Sequence, residues 1–285
     1  MDITLREART EDIPVCSEIC SEAFTNLSKK HAFPSDVPNA EIAAMMLAPM
    51  TQQQGFYGVV GEMGGQVVGS NFLDERGEIV GLGPITVSVA GQNNGVGRLL
   101  MQHCLDRCEA RKVQGVRLLQ AAYHNRSLAL YTRLGFDVQD VLSTLQGPAI
   151  NRQVEGHVVR PVTEKDLYAC CALYERAHGH GRRDELQDAI QAGTAALVEQ
   201  QGNLKGYFSS FGFGGFGVAE TNDAIKALLG HASDFSGPGI LVPSGNGDLM
   251  RWCLDNGLKV VHQMTIMTKG FYQRPTLPYL PSIFY

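Results

Sequence analysis

The spacing of apolar residues predicts that short strands and amphipathic helices follow one another along this chain. In the first half, strands are predicted at 3–7, in a hairpin over 56–77 with the turn EMGGQ, and at 82–90, 115–123 and 138–147. Helices are predicted at 14–24, 39–47, 95–111 and 126–134. This order indicates a mixed β-sheet with helices on both faces, in the α/β or α+β class.

The pattern repeats in the second half. The passage LREARTEDIPVCSEICSEAF from Leu5 resembles VVRPVTEKDLYACCALYERA from Val158, and HNRSLALYTRLGF from His124 aligns without a gap with NGDLMRWCLDNGL from Asn246. The offset falls from 154 residues in the first pair, with Arg6 aligned to Arg160, to 122 in the second, so the second copy is about thirty residues shorter. The chain is therefore predicted to hold two domains in tandem, 1–150 and 155–285, joined by a polar stretch with Gly and Pro.

Composition narrows the function classes. A chain of 285 residues with a net charge of −5 lacks the basic footprint of a nucleic-acid-binding protein. No segment has the pattern of a signal peptide or a membrane span, so a cytoplasmic monomer or homodimer without membrane or nucleic-acid partners is expected. The seven cysteines form no CxxC pair, so neither disulfides nor a metal site is expected.

A glycine-containing loop carries the clearest chemical signal. The segment QNNGVG at 92–97 lies between a predicted strand and a predicted helix, without the Lys-Ser or Lys-Thr of a Walker loop. It also lacks the third glycine of a dinucleotide fingerprint, and the next strand ends without an acidic residue. Glycines that free N–H groups at a helix N-terminus, followed by Arg98, favour an oxyanion. A strand-to-helix turn without a ligand is the alternative.

Three motifs together resemble the GNAT superfamily of N-acetyltransferases. They are GPITV, the Q-x-x-G-x-G loop and RSLALYTRLGF, which occur in family order over 83–136. The resemblance covers residues 1–150 and implies that acetyl-CoA is the acyl donor, with its pyrophosphate on the loop. It implies direct acetyl transfer to a small-molecule amine. The alternative is a regulatory or structural protein that binds acyl-CoA without turnover.

The resemblance also implies which residues contact acyl-CoA. They are Thr86, Val87, Ser88 and Val89 on the central strand, Gln92, Asn93, Asn94, Gly95, Val96, Gly97 and Arg98 in the loop, and His124, Asn125 and Ser127 at the start of the later helix. Val89 replaces a proline common in the family. His124 stands where an asparagine is usual, so either His124 or the neighbouring Asn125 is expected to make its polar contact.

For catalysis, Tyr131 matches the family tyrosine that returns a proton to the leaving thiolate; packing on the sheet is its alternative role. Gly81 stands where some relatives have a glutamate base. Candidates for that base are Glu78, from an acidic turn typical of a solvated surface, a water chain, and the Tyr285 carboxylate. For the C-terminal segment FYQRPTLPYLPSIFY, which ends at Tyr285, the alternative role is an edge strand or a dimer contact.

The second half lacks the chemical motifs. Its strand FGVAE runs directly into TNDAIKALLGHA, with Thr221 or Asn222 as the helix cap, and Cys253 replaces Tyr131. A degenerate GNAT-like domain that binds no CoA and closes the substrate side of the first is therefore expected. The segment HGHGRRDE is predicted to be a loop cap or a substrate-facing wall, and FGFGGFG a strand with close backbone approach.

Overall fold

The computed structural model describes residues 2–284, and both halves alternate strands and helices. The first half contains β1 (Ile3–Glu7), α1 (Ile13–Lys30), α2 (Ala40–Gln52), β2 (Phe56–Met63), β3 (Gln66–Asp74), β4 (Ile79–Leu82), β5 (Thr86–Val87), α3 (Val96–Ala110), β6 (Gly115–Ala121), α4 (Asn125–Arg133) and β7 (Asp137–Gln146). The mixed α/β class predicted from the sequence is confirmed.

The second half repeats this order with shorter connections. It contains β8 (His157–Pro161), α5 (Leu167–His178), α6 (Arg183–Gln191), β9 (Ala196–Gln200), β10 (Asn203–Phe208), β11 (Gly217–Ala219), α7 (Asn222–His231), β12 (Ile240–Pro243), α8 (Gly247–Asp255), β13 (Lys259–Gly270) and β14 (Tyr279–Leu280). Among the described residues, no helix is both long and apolar enough to span a bilayer.

The predicted strand at 82–90 is broken in the structure. β4 and β5 are separated by residues 83–85, and Pro84 has no N–H with which to continue a ladder. β4 pairs with β3 and, in parallel, with β6, whereas β5 pairs only with β3. α1 was predicted to end near Phe24 but continues to Lys30. The sequence predicted one continuous strand here, whereas the structure has two short strands with different partners.

The two halves exchange strands in a nine-stranded sheet. Its main path runs β1-β2-β3-β4-β6-β13-β7-β12, so β13 of the second half lies between β6 and β7 of the first. β13 is antiparallel to both neighbours, pairing Met264–Gly270 with β6 and most of its length with β7. β7 in turn lies between β13 and β12 of the second half. The central sheet is therefore built from both halves of the chain.

The five-stranded second sheet contains the C-terminal tail. Its order is β14-β11-β10-β9-β8, and β14 is antiparallel to β11. The strand predicted for FGFGGFG, residues 211–217, is only partly present, because Gly217 alone of that run lies in a strand. The remainder lies outside the strands, and a Cβ at Gly215 would collide with the backbone carbonyl of Ser210. The close approach was predicted correctly and the strand was not.

Matching ion pairs occur at corresponding places in the two halves. Arg6 on β1 makes a bidentate contact with Asp12 at 2.7 and 2.8 Å and also binds Glu62. Arg160 on β8 contacts Asp166 twice at 2.8 Å and also binds Glu199. Each arginine ties the first strand of its half to the start of the first helix and to a neighbouring strand. The two halves therefore share a folding unit.

Helices cover both faces of the sheets. α3 and α4 pack on one face of the first half through a core that includes Leu100, Cys104 and Leu118, whereas α1 and α2 pack on the other through Cys20, Leu47 and Phe72. All seven cysteines are free and buried. A further cluster joins the halves; its members are Leu142, Phe213, Leu241, Met264, Ile266 and Tyr279.

The exchange predicts that residues 1–150 do not fold alone. Without β13, the facing edges of β6 and β7 lose their partner, and unpaired strand edges promote aggregation. We expect an insoluble or disordered 1–150 fragment that becomes soluble on co-expression with 155–285. Size-exclusion chromatography and amide NMR spectra measure this outcome. A monomeric 1–150 fragment with well-dispersed amide signals would contradict it.

Candidate functional site

An opening in the large sheet lies between β5 and β6. β4 pairs with β6 only from Ile79 to Gly81, the latter opposite Arg117. Beyond that point β6 continues to Ala121 with β13 on one side, while no described strand pairs with its other side. β5 uses one edge for β3. The two remaining edges present backbone groups that can bond an extended ligand.

The loop at 92–97 lies at the end of β5, at the N-terminus of α3. Gly95 is the N-cap with a φ of +85°, a left-handed conformation that favours glycine, and no side chain caps the helix. The first-turn N–H groups of Val96, Gly97 and Arg98 donate to no described residue. Such N–H groups with the helix dipole behind them form an anion site.

Side chains of the loop hold its backbone in place. The Gln92 side-chain amide donates to the carbonyl of Val87 at 3.3 Å, and that of Asn94 donates to the carbonyl of Ala90 at 3.0 Å. Residues 92–95 are exposed, as is Arg98. Because these side-chain amides bond the backbone of the loop, the backbone N–H groups are left to bind a ligand.

There is room beside the loop for a large anion. A Cβ placed on Gly95 would meet no atom within 4 Å, and one on Gly97 would approach only a methyl group of Val87, at 3.6 Å. A pyrophosphate therefore fits the chemistry of this loop, with Arg98 as an additional positive charge.

The turn between β6 and α4 forms the other side of the opening. The buried Gln120 donates from Nε2 to the carbonyl of His124 and to the Ser127 hydroxyl, both at 3.0 Å, and Ser127 donates to the same carbonyl at 2.9 Å. The Ser127 hydroxyl thus serves the turn itself. Its predicted contact with a ligand stays a prediction.

His124 and Asn125 occupy different environments in this turn. Burial lowers the pKa of His124, and Arg126, His31 and Lys30 lower it further, so its imidazole is neutral near pH 7. Asn125 is exposed, and its side chain bonds no described residue. A neutral imidazole and a free amide are both available for a polar contact at the opening, and the choice between them stays open.

Tyr131 lies on the inner side of α4. Its side chain is buried in the core beside Phe136, with the ring centroids 6.3 Å apart. Burial raises the pKa of Tyr131 above its usual value, so the phenol stays protonated over the physiological range. Its hydroxyl bonds no described residue. The side chain of Tyr131 thus packs on the sheet, which was the alternative role predicted from the sequence. Its hydroxyl also keeps a proton that it can donate.

The acidic turn before β4 is held by arginines. Asp74 binds Arg76, and Glu75, with its side chain only 5% exposed, binds Arg107 at 2.7 and 3.0 Å. The expectation of a solvated acidic surface is therefore wrong for Glu75. Glu78 is exposed and precedes β4 at the end where β4 and β6 begin to pair, whereas the opening lies beyond the other end of β4.

The loop between α1 and α2 packs on the same turn. Tyr123 contacts His31 and Phe33 of this loop at ring distances of 5.0 and 4.8 Å, and His262 of β13 at 5.7 Å. Burial and the carboxylate of Asp36 raise the pKa of Tyr123 to about 12. Local sequence signals missed this cluster because its members come from distant segments with no motif of their own.

A buried polar cluster lies where the halves meet. A cavity of about 20 Å³ is lined by Arg117 of β6 together with His178, Tyr272 and Tyr279, and has room for one water molecule. Burial lowers the pKa of His178 to about 2 and that of His180 to about 3, so both are neutral. In HGHGRRDE, Gly179 is the C-cap of α5, and both predicted roles of the segment, a loop cap and a substrate-facing wall, stay predictions.

The described residues of the second half form no counterpart of the opening. β11 leads into α7, where the Thr221 hydroxyl caps the helix by accepting from the N–H of Ala224 at 3.2 Å, as predicted from the sequence. β14 pairs with the edge of β11 that corresponds to the free edge of β5. The place of the opening is thus filled by the chain's own tail.

Comparisons with known proteins agree with this geometry. The sequence profile of the Acetyltransferase (GNAT) family matches residues 22–136, a span that contains the opening, the loop and Tyr131. A comparison with curated proteins found no matching sequence.

Several solved structures share the fold over both halves. A putative acetyltransferase from Pyrococcus horikoshii has a TM-score of 0.71 at 18% identity, over 94% of this chain and 89% of that one. A GCN5-related N-acetyltransferase from Sphaerobacter thermophilus has a TM-score of 0.64 at 14% identity, over 95% of this chain and 96% of that one. Another, from Anabaena variabilis, has a TM-score of 0.60 at 14% identity, over 94% of this chain and 72% of that one. At these identities the likeness establishes the fold.

Proposed function

We propose that this chain, whose residues 22–136 match the Acetyltransferase (GNAT) family, transfers an acetyl group from acetyl-CoA to a small-molecule amine. The observation that carries this proposal is the opening between β5 and β6 with the free N–H groups of α3 at its end. An extended acyl donor with a pyrophosphate suits both features. Residues 1–150 are proposed as the catalytic domain and 155–285 as its closing partner.

The proposed donor contacts follow from the local geometry. The amides of Gly95, Val96 and Gly97 bind the pyrophosphate, and Arg98 adds a positive charge. The free edge formed by Thr86, Val87 and Ser88 bonds the pantetheine arm. At the opposite side, His124 or Asn125 makes the remaining polar contact.

The proposed transfer is a direct displacement. The unprotonated amine attacks the thioester carbonyl carbon, the new C–N bond forms, and the C–S bond breaks to release the CoA thiolate. Tyr131 donates its phenolic proton to that thiolate, and its raised pKa keeps the proton available. Holding both reactants on one sheet supplies much of the rate enhancement.

A base must remove the proton of the attacking amine, and Gly81 offers no carboxylate. We propose the carboxylate of Tyr285, which lies outside the described residues. Support comes from the preceding tail, where Ile283 donates its N–H to the carbonyl of Phe213 at 2.9 Å. Ile283 packs against the cluster that joins the halves, as does Leu119 of β6, the strand that borders the opening. Glu78 is less suited because it lies at the far end of β4.

The alternative is a protein that binds acyl-CoA without catalysis, and the lack of an acidic residue at Gly81 favours it. A turnover assay with amines distinguishes this alternative from the proposed acetyltransferase. The purified chain is incubated with acetyl-CoA and a panel of primary amines, amino acids and their derivatives, and free thiol is measured. We expect thiol release that depends on at least one amine. Binding of acetyl-CoA in calorimetry with no release for any amine class would favour the inactive protein.

Substitution of Gly97 by Asp is expected to abolish CoA binding and leave the fold intact. A carboxylate would oppose the pyrophosphate where N–H groups meet it. Gly97→Ala is the matched control, because a methyl group fits there with its nearest neighbour at 3.6 Å. Calorimetric titration with CoA measures both variants. Equal dissociation constants for Gly97→Asp and the wild type would refute the loop assignment.

For Tyr131→Phe we expect kcat to fall on the order of ten- to a thousandfold with little change in CoA affinity, because loss of a proton donor acts on the transition state. Steady-state kinetics and calorimetry supply the two readouts. Tyr168→Phe, at an exposed phenol on α5, is the control. A kcat equal to that of the wild type would leave Tyr131 with its packing role alone.

Extending the chain after Tyr285 by a short Gly-Ser segment tests the proposed base. The extension displaces the negative charge, so turnover should fall about a hundredfold, within the range attributed to general bases. Melting temperature and CoA affinity should stay constant. The same segment placed before residue 1 is the control. Full activity of the C-terminally extended chain would rule out the carboxylate as base.

A further inference from the structure

We propose that Asp36 and His262 are positioning residues that fasten the loop between α1 and α2, residues 31–39, to β13 and thereby shape the acceptor side of the opening. This inference rests on the proposed function, because it concerns the acceptor of that same site. It assigns a role to two residues for which the sequence alone indicated none.

The contact between these two residues is short and buried. Asp36 Oδ1 lies 2.8 Å from His262 Nε2, and the side chains are 6% and 0% exposed. The other ring nitrogen of His262 lies 3.2 Å from the hydroxyl of Thr144 on β7. With Nε2–H donating to the carboxylate, Nδ1 accepts from Thr144, so both ring nitrogens are satisfied. A buried carboxylate paired in this way fixes its loop firmly.

The pair joins segments that belong to different halves. Asp36 comes from the first half, whereas His262 lies on the exchanged strand β13, 226 residues away. Phe33, from the same loop, contacts His262 at a ring distance of 6.0 Å, and Phe213 of the second half contacts it at 6.5 Å. The loop is therefore held by the hydrogen bond between Asp36 and His262, which lies among the rings of Phe33 and Phe213.

The fastened loop borders the opening. His31 and Phe33 pack on Tyr123, which follows β6 and immediately precedes His124 and Asn125. The donor is assigned to the loop at 92–97 on the α3 side, so the α1–α2 loop is left to meet the acceptor. Loss of the Asp36–His262 contact should release this wall and weaken acceptor binding while the donor site stays intact.

The test compares Asp36→Ala, His262→Ala and the double variant with the wild type. We expect each single variant to raise KM for the amine about tenfold, a change typical for loss of a charge-assisted hydrogen bond, with kcat and CoA affinity little changed. The double variant should show no further rise, because the two residues act as one unit. Asp36→Asn, which can still accept the hydrogen bond, should restore most of the affinity.

Asp248→Asn is the matched control. It removes the 2.9 Å ion pair between Asp248 on α8 and Lys226 on α7, and it should leave KM unchanged. Amide hydrogen exchange of residues 31–39 gives a readout independent of turnover and should become faster in both single variants. Unchanged loop exchange, unchanged KM, or additive KM effects in the double variant would overturn the role. A wild type without turnover for any amine, combined with faster loop exchange in the variants, would refute the proposed function but retain the fastening; the acceptor role would then be overturned.

Discussion

The insertion of β13 between β6 and β7 is the constraint on which the rest of the structure depends. A strand of the second half supplies both neighbouring ladders, antiparallel on each side, at the centre of the large sheet. β6 is thus fixed along one whole edge while its other edge is free beyond Arg117. The opening between β5 and β6 can exist without collapse because β13 holds β6 in place. The second half therefore supports the strand that borders the opening.

The duplicated halves have diverged at corresponding places. In the first half the edge of β5 is free, and the glycine loop leads into α3 with unpaired N–H groups. In the second half β14 covers the edge of β11, and Thr221 caps α7. The same fold thus leaves a binding edge open in one copy and closes it with the tail in the other. The arginine clusters around Arg6 and Arg160 show that the framework itself was retained.

Local features of the site could be predicted from the sequence, and long-range ones could not. Hydrophobic periodicity and turn residues identified most strands and helices, and the glycine pattern at 92–97 located the turn into α3. Strand partners are not encoded in a period of two residues, so the exchange of β13 was not foreseen. The Asp36–His262 contact was missed for the same reason. The break between β4 and β5 was not predicted because the run at 82–90 is rich in β-branched residues, although Pro84 interrupts its ladder.

A crystal structure of the chain with bound CoA tests the central claim most directly. The account predicts the pyrophosphate on the amides at 95–97, the pantetheine arm between β5 and β6, and the sulfur within hydrogen-bond distance of the Tyr131 hydroxyl. It also predicts that β14 still covers β11 in the second half. CoA bound against the second half, or bound to the first half outside the opening, would contradict the account.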